Sequence, residues 1–188
     1  CAMIILFMIC VVCTHGKLSY REVMSAGFMT AYVTLFMGVI AVMRENMGLG
    51  FTGFIFLCAW GSDTSAYFCG TFLGRHKLIP HVSPKKTVEG AVGAVVCVMF
   101  LCMLYAFIME KTGHSFEAIN GFKGYMKIGA MGAVASAVSQ LGGLAASSIK
   151  RDANIKDYGF IFPGHGGFMD RFDSVLFVAP VVYYYCLT

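Results

Sequence analysis

Long apolar stretches recur along this chain, at residues 1–13, 23–43, 49–69, 90–109, 127–148 and 172–187. The run 23–43 holds no charged residue over 21 positions, and one bilayer crossing takes about 20. A chain in lipid must satisfy its own backbone hydrogen bonds, and the alternating polar pattern of a barrel is absent, so each long run predicts a membrane-spanning helix. The fold class expected is an all-α, polytopic transmembrane helix bundle, with about five full spans plus the end of an N-terminal one. The N-terminus is read as truncated, because the chain begins at Cys1 within an apolar run, without Met or a basic lead. Residues 1–188 are expected to form a single membrane-embedded domain. The run 127–148 is rich in Gly, Ala and Ser, which let helices approach closely in lipid, so it is expected at the centre of the bundle. Tyr183, Tyr184 and Tyr185 near the end of the last run suit a lipid–water interface.

Composition agrees. The 188 residues are 58% hydrophobic and 13% charged, with a mean hydropathy of +0.74, against about 25% charged in ordinary soluble domains. The net charge of +4 comes without a long basic run, so no nucleic-acid partner is expected. Cys10 and Cys13 form a C-x-x-C without a second pair or a flanking His, and read as small apolar helix residues.

Loop charge sets the orientation. The loops around 14–22, 70–89 and 149–171 carry Lys17, Arg21, Arg75, Lys77, Lys85, Lys86, Lys150, Arg151, Lys156 and Arg171. The loops near 44–48 and 110–127 carry Arg44, Lys111, Lys123 and Lys127. The richer side is expected in the cytoplasm, which makes this an integral protein of the cell (inner) membrane with its polar motifs facing nucleotides.

Three regions hold candidate chemistry. Asp63 lies inside an apolar run, where a central carboxylate costs about 2.5–3.5 kcal/mol on insertion scales. It reads as a metal or proton site, or as a carboxylate bonded to Ser62, Thr64 or Ser65. The segment Ser83-Pro84-Lys85-Lys86-Thr87 precedes a new helix, and reads as a polyphosphate cradle or as an ordinary basic loop. In the stretch 147–173, Lys150, Arg151 and Lys156 supply positive charge, and Gly164, Gly166 and Gly167 allow close backbone approach to phosphate. Asp170 and Asp173, three apart, share one face at the start of the last helix, as Mg²⁺ bound to phosphates requires. The alternative is a capped helix with Arg171 paired to Asp157 or Asp173. His165 could bind phosphate, shuttle a proton or shape the turn.

These residues carry a resemblance. Ser147, Lys150, Arg151, Lys156, Asp157, Pro163 to Gly167, Asp170, Arg171 and Asp173 resemble the signature of the CDP-diacylglycerol synthases (phosphatidate cytidylyltransferases). Asp63 to Tyr67 with Gly70, and Ser83 to Thr87 with Glu89-Gly90, are similar to that family in the same order. The resemblance implies transfer of the cytidylyl group of CTP to phosphatidate, giving CDP-diacylglycerol and pyrophosphate. It also implies Mg²⁺, with a second cation as an option. CTP, phosphatidate and membrane lipid are the partners expected, and a homodimer is a candidate assembly. Asp170, Asp173 and Asp63 are then candidate metal ligands. Lys150, Arg151, Lys156 and His165 join Asp170 as catalytic candidates, and Ser147, Ser83, Lys85, Lys86, Arg171 and the three glycines would hold phosphates.

One position departs from the pattern. The family reads G-D-L before Ser147, and here the run is Gly142-Gly143-Leu144. Gly143 stands where a metal-binding Asp is expected. An inactive relative, an altered sequence, or replacement by Asp63 or Asp173 are the accounts left open. The other function classes are a silent membrane protein binding nucleotide or anionic lipid, a CTP-dependent lipid kinase, and a transporter. The last is disfavoured because the polar residues gather on one side of the membrane.

Overall fold

The computed structural model describes residues 2–13, 19–113, 121–155, 157–159 and 167–187. Five helices carry the fold: α1 (Ala2–Cys13), α2 (Tyr20–Leu73), α3 (Val88–Lys111), α4 (Gly121–Asp152) and α5 (Met169–Leu187). Among the described residues, three of them, α2, α3 and α4, are long and apolar enough to cross a membrane.

Helix α2 spans 54 residues. A straight helix of that length would run about 80 Å, far beyond a hydrocarbon core of about 30 Å. It is broken at Gly48, whose φ of +83° and ψ of −179° leave the helical region. Only a residue without Cβ takes such a conformation cheaply. The break frees carbonyls, which side chains then satisfy: Thr52 Oγ1 donates to the Gly48 carbonyl at 2.9 Å, and Tyr105 OH donates to the Gly50 carbonyl at 3.1 Å. The boundary expected as a loop near 44–48 is therefore a one-residue hinge between helical halves. The start of α2 is fixed by a capping box, with Ser19 and Glu22 satisfying each other's backbone N–H.

The core lies where α2, α3, α4 and α5 meet. Met43 from the first half of α2 and Phe54, Ile55, Cys58 and Ala59 from the second pack with Val98, Cys102, Met131, Ala135, Val175 and Val178. Helix α4 is the central one, as its small residues predict: its most apolar window is 56% buried, against 22% in α3 and 6% in α2. Ser62 and Ser136, both fully buried, share a hydrogen bond at 2.8 Å across the α2–α4 contact.

The structure departs from an all-helical reading at residues 77–87. Strands β1 (Lys77–Ile79) and β2 (Ser83–Thr87) form an antiparallel hairpin, pairing Lys77 with Thr87 and Ile79 with Ser83. Its base is stapled by Glu89. The Glu89 carboxylate accepts from the backbone N–H of Arg75 at 3.1 Å and of His76 at 3.2 Å, and meets His76 Nδ1 at 2.6 Å. Gly90 lets α3 start tight against α2, since a Cβ there would lie 2.7 Å from the Ala66 carbonyl oxygen. The hairpin is thereby held over the ends of both helices.

Candidate functional site

Helix α4 ends in Lys150, Arg151 and Asp152, and α5 begins with Asp170 in its first turn. Between them, Lys150 Nζ meets Asp170 Oδ1 at 2.7 Å, with only 13% and 8% of the two side chains exposed. Asp170 Oδ2 accepts the backbone N–H of Tyr158 at 2.8 Å and of Gly167 at 2.9 Å. Three donors on one carboxylate favour its charged form. The Lys150 ammonium also lies 5.4 Å from the centre of the Tyr158 ring, and Tyr158 OH donates to the Ala146 carbonyl at 3.2 Å. Burial first, then the carboxylates of Asp173 and Asp170, push the Tyr158 phenol up. It therefore stays a neutral donor.

A second acidic pair lies deeper. Ser174 joins it: its hydroxyl donates to Asp63 Oδ2 at 3.3 Å, while its backbone N–H donates to Asp173 Oδ1 at 2.7 Å. Asp63 is thus tied to α5, 111 residues away, rather than to Ser62, which bonds Ser136 instead. The charges of Asp63 and Asp173 act on each other, and the Lys86 ammonium acts on both. Lys86 projects from β2 toward α4. Its Nζ lies 3.2 Å from the position of a Cβ on Gly143.

Under the hairpin is a cavity of about 590 Å³, lined by Asp63, Ser83, Lys85 and Lys86. Arg75, Lys77, Tyr67 and Gln140 line it as well and were missed as site residues. Arg75 and Lys77 counted in the sequence only as cytoplasmic charge. Gln140 had a legible signal: it is a polar residue inside an apolar run, 8% exposed, whose Nε2 donates to the Ala91 carbonyl at 3.1 Å.

The other sequence candidates divide. Gly167 is buried and donates to Asp170. Ser147 Oγ donates to the Gly143 carbonyl at 2.7 Å within its own helix. Arg151 and Arg171 are exposed, and the Arg171 carbonyl accepts from Trp60 Nε1 at 3.4 Å. Lys156, Gly164, His165 and Gly166 lie outside the described residues.

Among the described residues, no group of three or more His, Cys, Asp and Glu forms a cage for a metal. Mg²⁺ does not need one. It is usually held by one or two carboxylates together with substrate phosphates. Asp63 and Asp173 fit that requirement, because these hydrogen bonds engage Oδ2 of the one and Oδ1 of the other. Asp170 has both oxygens engaged.

Known proteins carry the same arrangement of sequence. A profile described as the cytidylyltransferase family matches residues 1–188. The phosphatidate cytidylyltransferase of Staphylococcus haemolyticus is 32% identical over 171 residues, covering 91% of this chain and 62% of that protein. The phosphatidate cytidylyltransferase of Bacillus subtilis is 36% identical over 140 residues, covering 74% and 48%. The phosphatidate cytidylyltransferase of Staphylococcus saprophyticus is 36% identical over 172 residues, covering 91% and 62%. The chain therefore spans about half to three-fifths of the length of these relatives. Matched along its whole length, the chain belongs to the cytidylyltransferase family.

Proposed function

We propose that the protein transfers the cytidylyl group of CTP to phosphatidate, giving CDP-diacylglycerol and pyrophosphate at the cytoplasmic face of the cell membrane. The observation that carries this reading is the cavity under the hairpin, where Arg75, Lys77, Lys85 and Lys86 surround a space that opens onto Asp63. A triphosphate needs that density of cations, and CTP would sit there. The five crossings are the two halves of α2 on either side of Gly48, followed by α3, α4 and α5.

In the reaction, an oxygen of the phosphatidate phosphate attacks the α-phosphorus of CTP. A new P–O bond forms there as the bond to the bridging oxygen of the β-phosphate breaks, and pyrophosphate leaves. Two anions must meet, so most of the work is positioning and charge neutralisation. Lys85, Lys77 and Arg75 would hold the β- and γ-phosphates. Lys86, whose charge acts on Asp63 and Asp173, would face the α-phosphate. Lys150 would turn from Asp170 toward the lipid phosphate, with the Tyr158 hydroxyl as a neighbouring donor. Asp63 and Asp173 would hold Mg²⁺ jointly with the phosphates, and Asp170 would offer a further carboxylate were Lys150 turned away from it. Bound Mg²⁺ supplies positive charge to the phosphoryl oxygens.

The test is CTP-dependent formation of CDP-diacylglycerol by the full-length protein in detergent. Product that is lost in Lys86→Ala supports the reading, and full turnover in that variant contradicts it. A second reading, a silent relative that binds CTP or phosphatidate without turnover, is favoured by one observation: position 143 carries no carboxylate, and the side-chain atom beside a Cβ there is the Lys86 ammonium, at 3.2 Å. Binding without product would select it. Transfer of the γ-phosphoryl instead would select a CTP-dependent lipid kinase.

A further inference from the structure

Gln140 is a buried amide with only its nitrogen engaged. It sits on α4, 8% exposed, and lines the cavity under the hairpin. Its Nε2 donates to the Ala91 carbonyl at 3.1 Å. Only the NH₂ side of an amide can donate to a carbonyl, so this bond fixes which way the group faces. Among the described residues, no donor reaches its Oε1. That oxygen is not sealed in the core, because Ser139 Oγ alone among the described residues is both buried and without a partner. Oε1 therefore opens into the cavity as an oriented, uncharged acceptor. Arg75, Lys77, Lys85 and Lys86 in the same cavity suit phosphate. An acceptor has nothing to offer a phosphate, whose own oxygens accept, so Gln140 serves another part of the ligand.

We propose that Gln140 selects cytosine, its Oε1 accepting a hydrogen bond from the 4-amino group of the CTP base. This rests on the cytidylyltransferase reading and adds to it the residue that reads the base. Gln140 lies three residues before Gly143, so the two share a face of α4. Lys86 Nζ lies 3.2 Å from the position of a Cβ on Gly143. Gln140 is therefore about one helical turn from the ammonium that would face the α-phosphate, and the nucleoside runs on from that phosphate. A fixed acceptor separates the two pyrimidines at one place. Position 4 of cytosine carries an amine that donates, and position 4 of uracil a carbonyl that accepts. Facing uracil, Oε1 would meet a second acceptor, and both would lose their partners. A ribose hydroxyl both donates and accepts, so an amide of fixed orientation would gain no selectivity there.

The test measures nucleotide binding to the full-length protein in detergent by calorimetry, with Mg²⁺ present. The probes are CTP, UTP, 2′,3′-dideoxy-CTP and the CTP analogue with hydrogen in place of the 4-amino group. Wild type should bind CTP about tenfold or more tighter than UTP or the 4-hydrogen analogue. Gln140→Met should weaken CTP and dideoxy-CTP by the same factor, about tenfold. It should leave the 4-hydrogen analogue nearly unchanged and UTP no weaker. Gln140→Met also leaves the Ala91 carbonyl without its donor. If that variant does not fold, Gln140→Asn, which keeps an amide but withdraws it by one methylene, should show the same pattern. Equal weakening of all four probes, or equal binding of CTP and the 4-hydrogen analogue by wild type, would overturn the proposal. A loss seen with CTP but not with dideoxy-CTP would put Gln140 at the ribose and overturn it as well. CDP-diacylglycerol formed by a protein that does not tell CTP from UTP defeats the role of Gln140 and leaves the activity standing. Selective CTP binding through Gln140 without product defeats the activity and leaves the base contact.

Discussion

The Lys86 ammonium lies 3.2 Å from where a Cβ on Gly143 would stand. A side chain added there meets the flexible end of a lysine, not backbone, so the position accepts a carboxylate at small steric cost. It would also place that carboxylate beside the Lys86 ammonium, whose charge acts on both Asp63 and Asp173.

Gly143→Asp should therefore raise turnover. The added ligand should lower the Mg²⁺ concentration needed for tight CTP binding by about tenfold, which corresponds to about 1.4 kcal/mol. Titration of Mg²⁺ against CTP binding checks this. The gain should shrink in the Gly143→Asp, Lys86→Met double variant, since residues in direct contact couple by about 0.5–3 kcal/mol. An unchanged Mg²⁺ requirement in a folded variant would mean that position 143 is not where the ligand is missing.

The Lys150–Asp170 pair should behave as a buried pair. Removing one partner leaves the other charge uncompensated, at a cost of about 3–5 kcal/mol. Asp170→Asn should lower the unfolding midpoint in detergent and abolish turnover, because the backbone N–H groups of Tyr158 and Gly167 lose part of their anchor as well. The double variant Asp170→Asn, Lys150→Met should be more stable than the sum of the single losses predicts. Strict additivity, with stability unaltered in either single variant, would show that the pair is dispensable to the fold.

Each cation under the hairpin should contribute to CTP binding separately from lipid binding. Hydrogen bonds to charged groups contribute about 1.5–3 kcal/mol, so Arg75→Ala, Lys77→Ala or Lys85→Ala should each weaken CTP binding about tenfold or more. The KM for phosphatidate should change far less. Binding by calorimetry at two salt concentrations checks both points, because the attraction should weaken as salt rises. An equal loss of both substrates would mean that the cavity does not separate them.

Much of this was legible in the sequence, and the reasons are local. The apolar runs marked the helices because span length is a property of consecutive residues. The small residues of 127–148 marked α4 as central for the same reason. The polar stretch 147–173 was recognisable, and Lys150, Asp170 and Gly167 do come together. What escaped depends on contacts distant in sequence. Nothing near Ser174 announces that its hydroxyl meets Asp63. The hairpin was hidden because Ser83-Pro84-Lys85-Lys86-Thr87 has charged residues and a proline where strands usually alternate. Arg44, Glu45 and Asn46 interrupt the apolar pattern and so predict a loop at 44–48, yet the helix continues through them to Gly48.

That hinge yields its own prediction. Gly48→Ala puts a Cβ on a backbone at φ +83° and ψ −179°, a region essentially reserved for glycine, at a cost of about 1–3 kcal/mol, although no atom lies within 4 Å of the new methyl. Gly38→Ala, equally uncrowded but inside the helix, should stabilise by about 0.5–1 kcal/mol. Opposite shifts of the unfolding midpoint are expected. Equal shifts would mean that α2 does not hinge at this residue.

The most direct test supplies the purified full-length protein with CTP, phosphatidate and Mg²⁺ and identifies both products. The account predicts CDP-diacylglycerol and pyrophosphate in equal amounts, each lost in Lys86→Ala. CDP released together with a newly phosphorylated lipid, or pyrophosphate formed undiminished without Lys86, would contradict it.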